Sequence, residues 1–157
     1  MLNLSTVEAK VGGSARPDCK GYVFTIISVK QTTSKSSNKP MVVFELNIGD
    51  GEFKGYFRYP LRLFQTIADQ EGLSRLKGLF ETILKENQTA IPPETINWQL
   101  FDEQILVGLN VGGVLKWDDK GYLDIHYLTS IEEALKKEPI PKPEAKLLDT
   151  GNENGLF

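Results

Sequence analysis

The segment that most restricts the fold runs from Ile105 to Trp117 and reads ILVGLNVGGVLKW. It has the apolar, β-branched character of a strand, but it is too long and too glycine-interrupted to lie flat. Glycines inside a strand mark a bulge or a close approach of two backbones, so Gly112-Gly113 is expected to bend it. A small barrel needs such sharply coiled strands at its corners.

Before this segment, YVFTIISVK (Tyr22 to Lys30) is rich in β-branched and aromatic residues and reads as a first strand. QTTSKSSNKP is polar throughout and is expected to be a loop of about ten residues, long for a hairpin connection. Met41 to Ile48 forms a second strand, and Gly49-Asp50-Gly51 supplies a tight turn. Phe53 to Tyr59 then returns as the third strand of a meander. Pro60 suits a helix start, and Leu61, Phe64, Ile67 and Ala68 recur at near-helical spacing, which predicts a short helix ending at Gly72. A second helix is expected from Ser74 to Asn87, with Leu76, Leu79, Phe80, Ile83 and Leu84 on one face. Pro92-Pro93 breaks the chain, and a short stretch with Trp98, Leu100 and Phe101 leads into the glycine-bent fourth strand. Asp118 to Gly121 forms a turn, and Tyr122 to Ile131 is the fifth strand.

Three strands, a helical insert and two further strands give a mainly β chain with the element order of the five-stranded oligonucleotide-binding (OB) fold barrel. A ferredoxin-like fold needs a helix directly after the first strand, where this sequence is polar loop. At 157 residues, 40% of them hydrophobic, the chain can bury one core. The expected organisation is a loose leader over 1–20, the barrel domain over 21–133, and a disordered tail over 134–157, where prolines and charges recur.

Enzymatic constellations are not visible. The single histidine, His126, has no Cys or His at ligand spacing, so no metal site is expected. Asp118, Asp119 and Asp124 cluster near one hairpin, where acids usually serve as solvated turn formers. The glycines match no phosphate-binding loop. Cys19 has no partner for an internal disulfide. No catalytic role and no cofactor is expected. No stretch approaches the roughly 20 apolar residues of a membrane-spanning helix, and a soluble protein of the cytoplasm follows as an expectation.

For nucleic-acid binding the signal lies in three places. Alternation in the expected third strand puts Lys54, Tyr56 and Arg58 on one face, a ring between two cations. Aromatic faces stack on unpaired bases whatever their identity, and flanking cations track the phosphates. The first loop region adds Lys30, Lys35 and Lys39 among hydroxyl and amide donors. The turn between the last two strands adds Lys116, Trp117, Lys120 and Tyr122, with Trp117 either stacking on a base or capping the barrel end. Lys and Arg number 18 against 21 Asp and Glu, a net charge of -3, so any phosphate affinity has to be local.

GYVFTIISVK followed by MVVFELNIGDGEFKGYFRYP resembles a family of small bacteriophage single-stranded DNA-binding proteins of Gram-positive hosts, most specifically over Gly51 to Tyr56. The family's Leu- and Phe-rich helix, Asn-Trp pair, L-V-G-x-x-x-G strand and closing strand correspond to Leu73 to Leu84, Asn97-Trp98, Leu106-Val107-Gly108 with Gly112, and Tyr122 to Ile131. The resemblance covers about Gly21 to Leu148; this chain departs in its longer polar first loop and weak basicity. It implies an OB-fold that binds single-stranded DNA in phage replication or recombination, inside the host cytoplasm. The chain end is similar to the acidic tails of bacterial single-stranded DNA-binding proteins, which recruit replication and recombination proteins. Asp149, Glu153, Leu156 and Phe157 match that pattern. Two further expectations stand beside these: assembly into a homo-oligomer, and an alternative role as a protein-interaction module that does not touch nucleic acid, either a replication adaptor or a host-enzyme inhibitor.

Overall fold

The computed structural model describes residues 1–7 and 15–143. Its framework is one five-stranded antiparallel sheet built from β1 (Gly21–Thr33), β2 (Pro40–Ile48), β3 (Leu61–Thr66), β4 (Asn110–Trp117) and β5 (Leu123–Thr129). Two helices accompany it: α1 (Gln70–Lys85) between β3 and β4, and α2 (Ile131–Leu135) after β5. The strand order is β3-β2-β1-β4-β5. The sheet stays open. Its edge strands β3 and β5 approach to within 8 Å between Cα atoms but do not pair.

Two unpaired residues shape the sheet. Ile26 faces Leu46 and Ser28 faces Glu45, leaving Ile27 as an extra residue in β1. The bulge reverses the side-chain alternation, so that Val29 follows Phe24 and Ile26 into the core and Ser28 faces out. In β5, His126 is the extra residue between Ile125 and Tyr127, and it lets Leu128 join Ile125 inside. The bulge expected at Gly112-Gly113 is therefore absent from β4. Those glycines instead make room for neighbours: a Cβ on Gly113 would lie 2.5 Å from the ring of buried Phe24, and one on Gly112 would collide with the Ser130 carbonyl at the start of α2.

The core collects Phe24, Ile26, Val29, Phe44, Leu46, Ile48, Val111, Leu115 and Ile125 from the sheet, with Leu76, Phe80, Ile83 and Leu84 from α1. Asp69 caps α1 by accepting from the Gly72 amide at 2.8 Å. Gly72, expected to end a helix, instead lies in the first turn of α1, packed against the Thr66 carbonyl. After α1, three short 3-10 turns at Pro93–Thr95, Trp98–Leu100 and Glu103–Leu106 carry the chain back to β4. Phe44, Phe80, Phe101 and Trp98 form a continuous file of rings from core to surface, with successive centroids 6.0, 4.8 and 5.0 Å apart and the Lys77 ammonium 5.0 Å above Trp98.

Three sequence expectations are corrected by this arrangement. Phe53 to Tyr59 is not a strand, because Gly51 and Gly55 both take positive φ and turn the chain twice. The Asn47 side chain donates to the Phe57 carbonyl and accepts from its amide, holding the segment without strand pairing. The third strand is instead Leu61–Thr66, where a short helix was expected. The polar first loop is also shorter, since Gln31, Thr32 and Thr33 still pair with Val42, Met41 and Pro40. Their polarity reflects solvent exposure, not the end of the strand. Finally, the chain beyond 133 is not all tail within the described residues. α2 and the segment to Pro143 return along the domain, where the Ile140 amide donates to the Cys19 carbonyl at 2.8 Å. No helix among the described residues is long and apolar enough to cross a membrane.

Candidate nucleic-acid interface

Because antiparallel partners share a face, the registers of β1, β2 and β3 define the outer surface row by row. Thr32, Met41 and Thr66 form one row, Lys30, Val43 and Phe64 the next, and Ser28, Glu45 and Arg62 the third. Phe64 stands on the edge strand β3 with 53% of its surface exposed, in one row with the exposed Lys30 across Val43 and two residues along β3 from the exposed Arg62. An aromatic ring left open to solvent on a strand face with cations nearby has the chemistry to stack on a base and engage phosphates.

Glu45 is the acid of this face. Its Oε1 accepts from Ser28 Oγ at 2.6 Å and its Oε2 from Arg62 Nε at 3.3 Å. These bonds, the Ser28 hydroxyl first, hold its carboxyl below the usual glutamate range. The Glu45 side chain is 19% exposed and that of Arg62 62%, so the pair orients an arginine that still reaches solvent.

Two flanking segments extend the face. At the far end of the β1–β2 hairpin, the Ser34 amide donates to the Lys39 carbonyl and the Asn38 amide to the Ser34 carbonyl, both at 2.8 Å. This ordered turn presents Lys35 and Lys39 to solvent next to the Thr32 row. Ahead of β3, Tyr59 is 75% exposed with the Arg58 guanidinium 5.5 Å from its ring centre.

The other candidates are placed differently. Lys54 is exposed on the turn, and Tyr56 packs edge-on against Phe53 and Phe57, so these two and Arg58 do not share a strand face. Lys116, Trp117, Lys120 and Tyr122 lie at the end of β1 opposite the β1–β2 turn, because Gly21 pairs with Val114. Trp117 is engaged there: its indole N–H donates to the Ile140 carbonyl at 2.9 Å, and Arg16 and Lys142 sit 5.2 and 6.0 Å from its ring centre. Tyr122 remains 67% exposed. Nearby, Tyr22 donates to the Asp18 carbonyl, and burial together with the Asp18 charge pushes its phenol up to about 12. Asp149, Glu153, Leu156 and Phe157 fall outside the described residues.

Sequence reasoning missed Arg62, Phe64 and Thr66. Their signal was the alternation of half-buried Leu61, Leu63, Gln65 and Ile67 with exposed Arg62, Phe64 and Thr66. It also missed a groove of about 460 Å³ along the 3-10 turns, lined by Ile91, Ile96, Leu100, Phe101 and Ile105. Among the described residues no cluster of His, Cys, Asp and Glu is placed to hold a metal ion. No protein-family model matches the sequence, and no curated protein matches it.

Proposed function

We propose that this chain is an OB-fold single-stranded DNA-binding protein, non-catalytic, whose ligand lies across the outer face of β1, β2 and β3. The barrel reading draws support from the strand order, from the helix between β3 and β4, and from the approach of β3 to β5 that a closed barrel would complete. One observation carries the ligand reading: Phe64, exposed on the edge strand β3, with Arg62 two residues along that strand and Lys30 across Val43 in the same row. Stacking on Phe64 and Tyr59 serves any base, while Lys30, Lys35, Lys39 and Arg62 neutralise the backbone. The net charge of -3 leaves phosphate affinity to local cations, and Lys30, Lys35, Lys39 and Arg62 are exposed on or beside this face. With the phage-family resemblance of the sequence, the role is protection or presentation of single strands during phage DNA replication or recombination.

The test is a titration of fluorescent oligo(dT) with the full chain at two salt concentrations, with duplex DNA of equal length as competitor. Binding that weakens with salt and resists the duplex is the expected result. A second reading, an adaptor that binds protein and not nucleic acid, is favoured by Leu100, 82% exposed beside the groove at the 3-10 turns. That reading prevails if oligo(dT) fails to bind at low salt.

A further inference from the structure

A carboxylate at the centre of a face that receives a polyanion weakens binding unless it does something for the ligand. Glu45 occupies that position, and it is fixed there by Ser28 and Arg62. A carboxylate offers about four acceptor positions, two on each oxygen, and these bonds fill one on each. One on each oxygen remains. In register, Glu45 faces Arg62 and its neighbour Val43 faces Phe64, so Glu45 and Phe64 are diagonal neighbours roughly 7–8 Å apart along the backbone. A base lying on the Phe64 ring therefore brings its hydrogen-bonding edge within reach of the Glu45 oxygens. The other polar residue of β2 on this face, Asn47, has its amide committed to the backbone of Phe57.

We infer that Glu45 reads the base stacked on Phe64 and selects guanine. This rests on the nucleic-acid reading of the face. Unpaired guanine presents N1–H and its 2-amino group side by side, two donors that match two carboxylate oxygens. Cytosine and adenine offer one amino group beside a bare ring nitrogen, which the carboxylate repels. Thymine is the poorest partner, with a single N–H flanked by two carbonyls. Stacking then supplies binding to any strand, and Glu45 superimposes a preference on one base position.

The experiment compares three oligonucleotides binding to the full chain by fluorescence anisotropy: oligo(dT), the same strand with isolated deoxyguanosines, and the same strand with deoxyinosine in their place. Isolated guanines prevent four-stranded structures, and inosine lacks only the 2-amino group. The guanine strand is expected to bind about tenfold more tightly than the oligo(dT) strand, with the inosine strand between them. In Glu45→Gln this preference disappears, because the amide keeps a single acceptor oxygen, and the readout is the ratio of guanine-strand to oligo(dT) affinity within that variant. Equal affinity for the three strands in the wild type overturns the inference while leaving the DNA-binding reading in place. A preference that survives in Glu45→Gln overturns it too. Failure of every strand to bind overturns the DNA-binding reading and this inference with it.

Discussion

Replacing Phe64 with alanine separates a ligand-binding aromatic from a structural one. Because 53% of its surface is exposed, less than half of its side chain contributes to the fold. Full burial of such a side chain is worth about 1.5–3 kcal/mol, so Phe64→Ala should cost about 1 kcal/mol of stability. The fully buried Phe44 on the opposite face of the sheet is the contrast, since truncating a core phenylalanine costs about 3–5 kcal/mol. A base stacked on an aromatic side chain is worth about 1–3 kcal/mol, so Phe64→Ala should weaken oligo(dT) binding about 5- to 150-fold. The slope of log affinity against log salt should not change, because the ring neutralises no phosphate. Fluorescence anisotropy over a salt series gives affinity and slope, and urea unfolding gives stability. Phe64→Tyr should restore binding, since its ring stacks equally well. Wild-type affinity in a folded Phe64→Ala protein would refute the placement of the ligand on this face.

Three further outcomes follow from the geometry. Replacing Lys35 and Lys39 together with alanine should reduce the salt slope of oligonucleotide binding by about 1.4, the release expected for two single-strand phosphate contacts, and an unchanged slope removes the hairpin turn from the site. Gly113→Ala should destabilise the domain by about 1–3 kcal/mol in urea unfolding, because its methyl group meets the buried ring of Phe24 at 2.5 Å; a neutral effect would mean that the ring can move. The Glu45 carboxyl is held below its ordinary 4.5, so the stability it contributes is present above that value and is lost as pH falls through its lower folded value. The stability difference between wild type and Glu45→Gln, followed by acid unfolding, should therefore shrink below about pH 4.5, and a constant difference contradicts the hydrogen-bond assignment.

The strands and the helix that bury regular apolar patterns were legible in the sequence. β2 and the apolar face of α1 emerge nearly as read, since Phe44, Leu46, Ile48, Leu76, Phe80, Ile83 and Leu84 all reach the core. β3 was not legible, and the reason is Phe64. An aromatic residue facing solvent breaks the period of two that Leu61, Leu63 and Ile67 maintain, and it creates the helical spacing that misled the reading. The residue that best marks the candidate site is the one that hid its strand. Phe53 and Phe57 produced the opposite error, because both pack against the core as alternate strand residues would, yet they do so from a loop turned by Gly51 and Gly55. The 3-10 turns were beyond periodicity altogether. They depend on single side chains, Asn97 accepting from the Gln99 amide and Asp102 from the Gln104 amide, and such local bonds leave no repeating pattern.

The place of β1 at the centre of the sheet has a consequence for how the protein is made. Its partner β2 follows almost at once, but Thr25 and Asn110, paired across β1 and β4, are 85 residues apart in the chain. At a ribosomal rate of about 5–20 residues per second, β1 emerges about 4–17 s before β4 is synthesised. Through that interval the β1–β2 hairpin has an open edge, the kind of template on which other nascent chains pair. Yield in a cell then depends on the pace of translation between residues 33 and 110 and on chaperones that cover that edge.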